Sequence, residues 1–241
     1  MTDFYQSNAE YYGALTADWQ APTAAFVRKL IGKIDGGVAV DFGSGTGAIL
    51  PVLKDLGASE LYAVEPSEAM RAGLVATLAT DHDLLAHTTV VRFGVPEALD
   101  RLPDVWSAAV MLNVIGHLDD DARAQLWSAL GERLVPDGCF VVALQPPAAA
   151  VTIPWTDFGT VNIGRDQVRT RGRAEPIDDT SVNWTMEWTV LDADGNTVEQ
   201  RTAEHTWRTL SVEDLTAEAA PHGLTVAGTA GDGMMVGFRR A

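Results

Sequence analysis

Residues 38–47 read Val38-Ala-Val-Asp-Phe-Gly-Ser-Gly-Thr-Gly47, and this stretch decides the fold. An apolar, β-branched run between glycines is typical of a buried strand, and the apolar residues from Ala48 to Leu56 have helical spacing before Gly57 ends the run. Alternate glycines at the junction let a ligand approach the backbone without meeting a Cβ atom, and the N–H groups that open the next helix offer positive potential. The stretch therefore predicts a strand, a ligand-binding loop and a helix.

The glycine loop alone fits two kinds of ligand. Its Gly-x-Gly-x-x-Ala spacing also matches the dinucleotide fingerprint. However, Asp41 lies two residues before the first glycine, where its carboxylate would repel a pyrophosphate but not a zwitterionic or cationic ligand. Asp-x-Gly-x-Gly-x-Gly at the end of a first strand resembles motif I of class I S-adenosylmethionine (SAM)-dependent methyltransferases, whose ligand has a sulfonium, an amino group and no phosphate. The resemblance implies a SAM site, with S-adenosylhomocysteine as product, that includes Asp41, Gly43, Ser44, Gly45 and Gly47.

A second motif follows one strand and one helix later. Residues 61–64 are strand-like and end in Glu65-Pro66, about 20 residues beyond the glycine loop. A carboxylate at that strand end can accept hydrogen bonds from both ribose hydroxyls, so Glu65 and Pro66 join the predicted cofactor site. Ser67 can cap a following helix over about 67–79.

Strands and helices alternate along the rest of the chain, which predicts a doubly wound, mostly parallel α/β sheet. Further strands are predicted at 88–93, 106–112 and 139–144, and helices at about 119–134 and 211–222. Residues 224–230 and 234–240 form a predicted hairpin around Gly231-Asp232-Gly233, which resembles the closing strand pair of the methyltransferase sheet. The resemblance spans 9–145 and resumes at the end, and it implies a Rossmann-like seven-stranded sheet with an antiparallel last strand.

Two further segments are assigned to the predicted cofactor site. Residues 94–99 are similar to the family's adenine-binding segment, but Val95 stands where the family often has an aspartate. We therefore expect backbone groups or Glu97 to recognise the adenine, and Val95 and Pro96 to lie beside it in the cofactor site. Asn113 follows the predicted strand 106–112, and its carbonyl groups are expected to receive the SAM amino group.

The N-terminal segment of about 1–34 is predicted to form a helical lid on the domain made of 1–145 and 211–241. Ala9-x-x-Tyr12 resembles a lid element of small-molecule methyltransferases, which implies that Tyr12, together with Tyr11, lies near the SAM carboxylate. Tyr11 and Trp19 are in addition assigned to substrate binding. The alternative is that these aromatic side chains only attach the lid to the domain.

Residues 146–210 contain strand-like runs rich in Thr, Val and Trp, which predict an inserted β cap over the substrate site. Trp184 and Trp188 share one face of a predicted strand, and His205 and Trp207 share one face of the next. Trp184, Trp188 and His205 are assigned to substrate binding. The alternative is that the tryptophans form the core of the cap. Similar caps occur in methyltransferases of aminosugars and other small metabolites. Arg165, Arg169, Arg171 and Arg173 either bind an anionic substrate or, as favoured here, form a solvated face.

Two histidines are the candidates for acid–base chemistry. His117 follows the fourth strand on the substrate side, and its unperturbed pKa lies close to working pH, so it is the first candidate for a general base and His205 the second. Both are also assigned to substrate contact; a satisfied pocket histidine is the alternative.

Composition excludes several other classes. The 241-residue chain has a net charge of −16, which argues against nucleic acid and anionic membranes as partners. The single Cys139 allows no intrachain disulfide, the histidines lack metal-ligand spacing, and no signal peptide or membrane-length apolar run is present, so a cytoplasmic location is expected. Monomer and homodimer both remain open.

The sequence thus predicts a SAM-dependent methyltransferase, an enzyme that acts on a nitrogen or oxygen rather than a carbon of a small metabolite. The alternatives are an NAD-linked oxidoreductase on a similar fold and a SAM-binding protein without transfer activity. Asp41 and the closing hairpin argue against the first alternative.

Overall fold

The computed structural model describes residues 4–231 and 233–240; Asp232 of the predicted closing turn lies outside them. Seven strands form the main sheet: β1 (Val38–Phe42), β2 (Glu60–Val64), β3 (Thr88–Val91), β4 (Trp106–Leu112), β5 (Leu134–Ala143), β10 (Leu224–Ala230) and β11 (Met235–Arg240). Their spatial order is β10-β11-β5-β4-β1-β2-β3; β11 runs antiparallel to both β10 and β5, and the pairs among β1 to β5 are parallel. The predicted doubly wound sheet with an antiparallel last strand is confirmed.

Helices cover both faces of this sheet. They are α1 (Ala9–Leu15), α2 (Ala17–Ile31), α3 (Leu50–Asp55), α4 (Glu68–Leu78), α5 (His82–His87), α6 (Asp120–Arg133) and α7 (Val212–Ala219). One core packs Phe140, Phe238 and Trp127 against α6 and α7, and the other packs α2, α3 and α4 on the opposite face of the sheet. Strands buried on both faces explain the continuous apolar runs of β4 and β5.

Several boundaries differ from the sequence prediction. The lid contains two helices, α1 and α2, with Pro22 inside α2, and helix α5 was not predicted. The helix after the glycine loop begins only at Leu50, because three glycines with positive φ (Gly43, Gly45 and Gly47) hold the preceding residues in turns. The predicted caps are present: Ser67 Oγ accepts from the Met70 N–H, and Asp119 Oδ1 accepts from the Ala122 N–H.

A second, antiparallel sheet is formed by β6 (Ile153–Ile163), β7 (Asp166–Asp178), β8 (Ser181–Leu191) and β9 (Thr197–Arg208), in that order. We call it the cap sheet. Its inner face buries Trp184, Trp188 and Trp207, and strand β9 contacts the N-terminal segment and the turn at residues 115–117. The cap sheet therefore borders the rim of the main sheet. Within the described residues, no helix is long and apolar enough to cross a membrane.

Candidate active site

A cavity of about 920 Å³ lies at the carboxyl ends of β1, β2 and β4, between the main sheet, the N-terminal helices and strand β9 of the cap sheet. This is the position at which open α/β sheets bind ligands. Its volume lies at the upper end of the range of roughly 300–1,000 Å³ that is common for ligand pockets. The cavity thus has room for a cofactor and a small second ligand.

The glycine loop forms one wall of the cavity, and its three glycines serve different purposes. A Cβ on Gly43 would lie 2.2 Å from Val114 Cγ2, and one on Gly47 would lie 2.7 Å from Leu74 Cδ1, so these two glycines permit close packing inside the protein. A Cβ on Gly45 would have only Tyr12 Cε1 nearby, at 3.9 Å. Gly45 is therefore the glycine whose missing side chain keeps space open at the cavity.

Glu65 is fixed against this loop by two backbone hydrogen bonds. Its Oε2 accepts from the Gly45 N–H at 2.8 Å, and its Oε1 accepts from the Ser67 N–H at 2.8 Å. A carboxylate has about four acceptor sites, so it can accept backbone N–H groups and ligand hydroxyls at the same time. Glu65 is 5 % exposed and lines the cavity at the end of β2, where a ribose-binding carboxylate is expected.

Asp41 lies on the cavity floor, only 2 % exposed, and its Oδ2 is buried without a hydrogen-bond partner. Burial raises the pKa of the Asp41 carboxyl to about 7, and the neighbouring Glu65 carboxylate contributes in the same direction. A buried acceptor without a partner in the protein suits a ligand that brings a cationic N–H or sulfonium group. The Asp41 side chain thus fits the cationic part of SAM and does not fit a pyrophosphate.

Other predicted cofactor residues also line this half of the cavity. They include Ser44, Pro66, Val95, Tyr12 and Asn113, the last with a positive φ of 57° that presents its backbone to the cavity. Burial raises the pKa of the Tyr12 hydroxyl, so that it stays protonated and can donate a hydrogen bond. We call the region around Asp41, Gly45 and Glu65 the cofactor half.

The two candidate bases meet at the other end, which we call the acceptor half. The ring centroids of His117 and His205 are 5.4 Å apart, and Tyr5 Oη lies 3.3 Å from His117 Nε2. Phe4 packs on His205 at 4.2 Å and Trp207 on His117 at 4.8 Å, and Nδ1 of His205 is buried without a partner. Residues from three distant parts of the chain, 4–5, 117 and 205–207, thus form one aromatic wall, in which Nδ1 of His205 has no partner.

The protonation state of this pair differs from the sequence expectation. Burial lowers the pKa of His117 to about 4, and burial together with the neighbouring His117 lowers that of His205 to about 3. The unperturbed pKa near working pH is thus not retained, because desolvation beside the aromatic side chains disfavours the charged rings, although the His117 side chain still reaches the surface. Both histidines are neutral at pH 7 and can accept a hydrogen bond.

Six predicted site residues do not line the cavity. Pro96 and Glu97 turn away toward α6, and Gly47 packs on Leu74. Tyr11 is buried against Val168 and Trp188 and donates to Glu199 Oε2 at 3.1 Å. Trp184 and Trp188 pack in the core of the cap sheet, which is the alternative that the sequence analysis gave for them. The hypothesis of substrate contact by these three aromatic residues is corrected. Trp19 does line the cavity and is 57 % exposed.

Some cavity residues were not found from the sequence. Phe4 and Tyr5 reach the acceptor half from a 3₁₀ turn, Phe4–Ser7. Trp207 lies buried behind the cavity wall and packs on His117 because Gly116 leaves room; a Cβ there would lie 2.2 Å from the indole. The shared strand face of His205 and Trp207 was the one signal available. Among the described residues, no group of three or more His, Cys, Asp or Glu side chains could hold a metal ion.

Comparisons with known proteins agree with this geometry. The family model described as a methyltransferase domain matches residues 40–140, whereas a comparison with curated proteins gives no match. The chain is similar in structure to CalS10, an amino pentose methyltransferase from Micromonospora echinaspora involved in calicheamicin biosynthesis (TM-score 0.73, 18 % identity, covering 100 % of this chain and 98 % of that one). It is also similar to DesVI from Streptomyces venezuelae (0.73, 17 %, 100 % and 100 %) and to the sugar N-methyltransferase KedS8 from Streptoalloteichus (0.64, 19 %, 99 % and 88 %).

Proposed function

We propose that this chain is a class I SAM-dependent methyltransferase, which transfers the methyl group of SAM to a nitrogen or oxygen of a small metabolite. The observation that carries the proposal is the single continuous cavity, in which a cofactor half with Asp41, Gly45 and Glu65 opens onto an acceptor half with His117 and His205. The names of CalS10 and KedS8, which describe an amino pentose and a sugar N-methyltransferase, favour an amine as acceptor.

The chain's own residues would orient the cofactor. Glu65 is positioned to accept from ribose hydroxyls, the backbone at Gly45 is open to the cofactor, and Asp41 is positioned for its cationic part. Bound SAM supplies an activated methyl group on a good leaving group. The remaining task of the protein is therefore to align the acceptor and to exclude water.

The acceptor half is suited to deliver a neutral nucleophile. An amine attacks only through its lone pair, so it must be bound without its extra proton. His117 and His205 are neutral, and a neutral imidazole nitrogen such as Nδ1 of His205 can accept an amine N–H. The aromatic rings of Phe4 and Tyr5 beside them carry no charge that would pair with an ammonium ion. These residues thus favour the reactive form of the acceptor.

In this proposal the parts of the chain have separate tasks. Residues 1–145 and 211–241 bind the cofactor with the helical segment up to about 34 as a lid, and 146–210 supply the cap over the acceptor. Tyr12, Ser44, Pro66, Val95 and Asn113 complete the cofactor site, and Trp19 borders the acceptor.

We also propose a cytoplasmic enzyme without nucleic-acid or membrane partners, since a net charge of −16 opposes binding to anionic polymers and surfaces. Cell fractionation and salt-dependent binding assays test these points.

The test combines calorimetry with turnover. Titration with SAM, S-adenosylhomocysteine and NAD⁺ should show saturable binding of the first two and none of NAD⁺. Incubation with methyl-labelled SAM and a pool of small amines and hydroxylated metabolites should then transfer label to one acceptor class. Tight binding of NAD⁺ with none of SAM would favour the oxidoreductase alternative. SAM binding without transfer to any member of the pool would favour a SAM-binding protein without transfer activity.

A further inference from the structure

A charged cluster joins the N-terminal helix α1 to strand β9 of the cap sheet. Nη2 of Arg201 on β9 lies 3.0 Å from Oε2 of Glu10 in α1, and it donates to Oε2 of Glu199 at 3.0 Å, while Nε of Arg201 donates to Oε1 of Glu199 at 2.7 Å. The same Glu199 carboxylate accepts from Tyr11 Oη at 3.1 Å, and the Arg201 guanidinium lies over the Tyr11 ring, 5.1 Å from its centroid. We call these four residues the lid contact. None of the four lines the cavity.

Arg201 is the residue on which the lid contact depends. An isolated exposed ion pair contributes little to stability, but the Arg201 side chain is only 27 % exposed and binds two carboxylates and an aromatic ring at once. Without it, Glu10 and Glu199 would face each other as like charges where α1 meets β9. Burial, together with the hydrogen bond to Glu199, raises the pKa of the Tyr11 hydroxyl, which therefore stays a neutral donor.

Helix α1 is firmly connected to the 3₁₀ turn Phe4–Ser7 that precedes it. Asn8 lies between the two elements and is 1 % exposed. Its Nδ2 donates to the Phe4 carbonyl at 3.2 Å, its N–H donates to the Tyr5 carbonyl at 3.1 Å, and its own carbonyl accepts from the Tyr11 N–H at 3.0 Å. The turn and the helix consequently form one N-terminal unit, and a displacement of α1 displaces the turn.

The far end of this unit forms part of the wall of the acceptor half. The Phe4 ring packs on His205, with centroids 4.2 Å apart, and Tyr5 Oη lies 3.3 Å from His117 Nε2. His205 and Arg201 are both on the inner face of β9, because residues that alternate along a strand share a face. The lid contact and the acceptor wall are thus the two ends of one N-terminal unit that lies along one face of β9.

We propose that Arg201 is a positioning residue, which holds the turn Phe4–Ser7 against His117 and His205 by attaching α1 to β9. The acceptor half is then complete only while the lid contact is intact. The effect on turnover rests on the proposed methyl transfer, whereas the position of the turn against the two histidines can be measured without a substrate. Tyr11, which the sequence assigned to the substrate, takes part in this attachment instead.

The test follows the two histidine rings in the full chain by NMR, with ¹³C label at Cε1 and assignment through His117→Gln and His205→Gln. Arg201→Ala should raise the pKa of His205 by about one unit or more toward the unperturbed value, because the ring becomes solvated when Phe4 withdraws. Arg201→Lys keeps a positive charge between the two carboxylates and should give a clearly smaller increase. Unchanged pKa values of both rings in Arg201→Ala would overturn the proposal.

Arg171→Ala is the matched control for loosening of the cap sheet as a whole. Arg171 lies on the exposed face of β7, donates to Glu187 at 2.6 Å and lies over the ring of Trp155 at 4.7 Å, so it combines a carboxylate and an aromatic partner as Arg201 does. This variant should leave both histidine pKa values unchanged, and an increase equal to that in Arg201→Ala would also overturn the proposal. If Arg201→Ala does not fold, Tyr11→Phe removes only one hydroxyl and should give a smaller increase in the same direction.

Turnover provides a second readout once an acceptor is identified. Arg201→Ala should raise KM for the acceptor about tenfold, with the affinity for S-adenosylhomocysteine within about twofold of the wild type, because the lid contact does not touch Asp41, Gly45 or Glu65. An equal loss of cofactor affinity would contradict a role specific to the acceptor half. If no acceptor is methylated, the proposed function fails, and the NMR titration still decides the role of Arg201.

Discussion

The backbone N–H of Gly45 donates a hydrogen bond to Oε2 of Glu65 at 2.8 Å, across 20 residues of sequence. This contact joins the glycine loop after β1 to the acidic residue after β2, so the two motifs form one surface. The loop conformation and the orientation of the carboxylate consequently depend on each other.

Glu65→Ala should weaken SAM binding tenfold or more, because it removes two charge-assisted hydrogen bonds worth roughly 1.5–3 kcal/mol each and also releases the Gly45 and Ser67 N–H groups. Calorimetric titration measures the change. Glu60→Ala, at the exposed start of the same strand, is the matched control and should bind normally. Wild-type affinity in Glu65→Ala would exclude this residue from the site.

Gly45→Val should abolish SAM binding, since the new side chain would project into the cavity beside Tyr12. Gly195→Val serves as its control: Gly195 also has a positive φ, of 83°, but a Cβ there meets nothing within 4 Å. The control thus carries a similar backbone strain without obstruction of the cavity. Circular dichroism establishes that both variants fold, and a folded Gly45→Val that still binds SAM would contradict the proposed role of the loop.

His117→Ala should leave SAM affinity nearly intact and slow methyl transfer by on the order of a hundredfold if His117 receives the acceptor proton. Since burial lowers the pKa of His117 to about 4, its contribution to the wild-type rate should persist from pH 7 to about pH 5 and be lost only near pH 4. The pH profile of single-turnover rates tests this. If His117 only positions the acceptor, KM rises instead and the profile keeps its shape.

His82→Ala, on the exposed first turn of α5, is the control for this experiment and should be as active as the wild type. Wild-type turnover in His117→Ala would exclude His117 both as the base and as a residue that positions the acceptor, and His205 would be the next residue to test.

The same histidines should make stability depend on pH. Their pKa values are near 6.5 in the unfolded chain and about 4 and 3 in the folded one, so between pH 6.5 and 4 the unfolded state binds more protons. The free energy of unfolding should therefore decrease as the pH falls through this window. Urea denaturation at pH 7 and pH 5 should show a smaller decrease in the double variant His117→Gln/His205→Gln. An equal decrease in both proteins would refute the burial argument.

Asp41 should link cofactor binding to proton release. Its carboxyl is protonated in the free protein up to about pH 7, and a cationic ligand beside it would lower that pKa, so SAM affinity should rise as the pH increases from 6 to 8. The effect on folding has the opposite sign: the raised pKa contributes stability that is present below pH 3.8 and is lost as the pH approaches 7. Titrations in buffers of different ionisation enthalpy count the released proton. Asp41→Asn should release none, and wild-type proton release in that variant would assign the proton to another group.

Local sequence patterns were sufficient to predict the main sheet and the placement of Asp41, Gly45 and Glu65 at one rim of that sheet. Period and turn signals identified β4 with its observed bounds, and glycine spacing with Asp41 and Glu65 identified the cavity rim. These predictions succeeded because strand burial, caps and glycine turns depend on neighbours a few residues apart. Predictions for Tyr11, Trp184 and Trp188 did not succeed, because a strand pattern defines which residues share a face and leaves open what that face contacts.

The sequence by itself determined the fold class, the glycine loop and the order of the rim residues along the chain. Only the tertiary structure decided the character of the acceptor half. There Phe4, Tyr5, His117, His205 and Trp207 meet from three distant segments, and the desolvation that results lowers both histidine pKa values. A side chain's pKa depends on the atoms that surround it in space, and sequence proximity does not supply them.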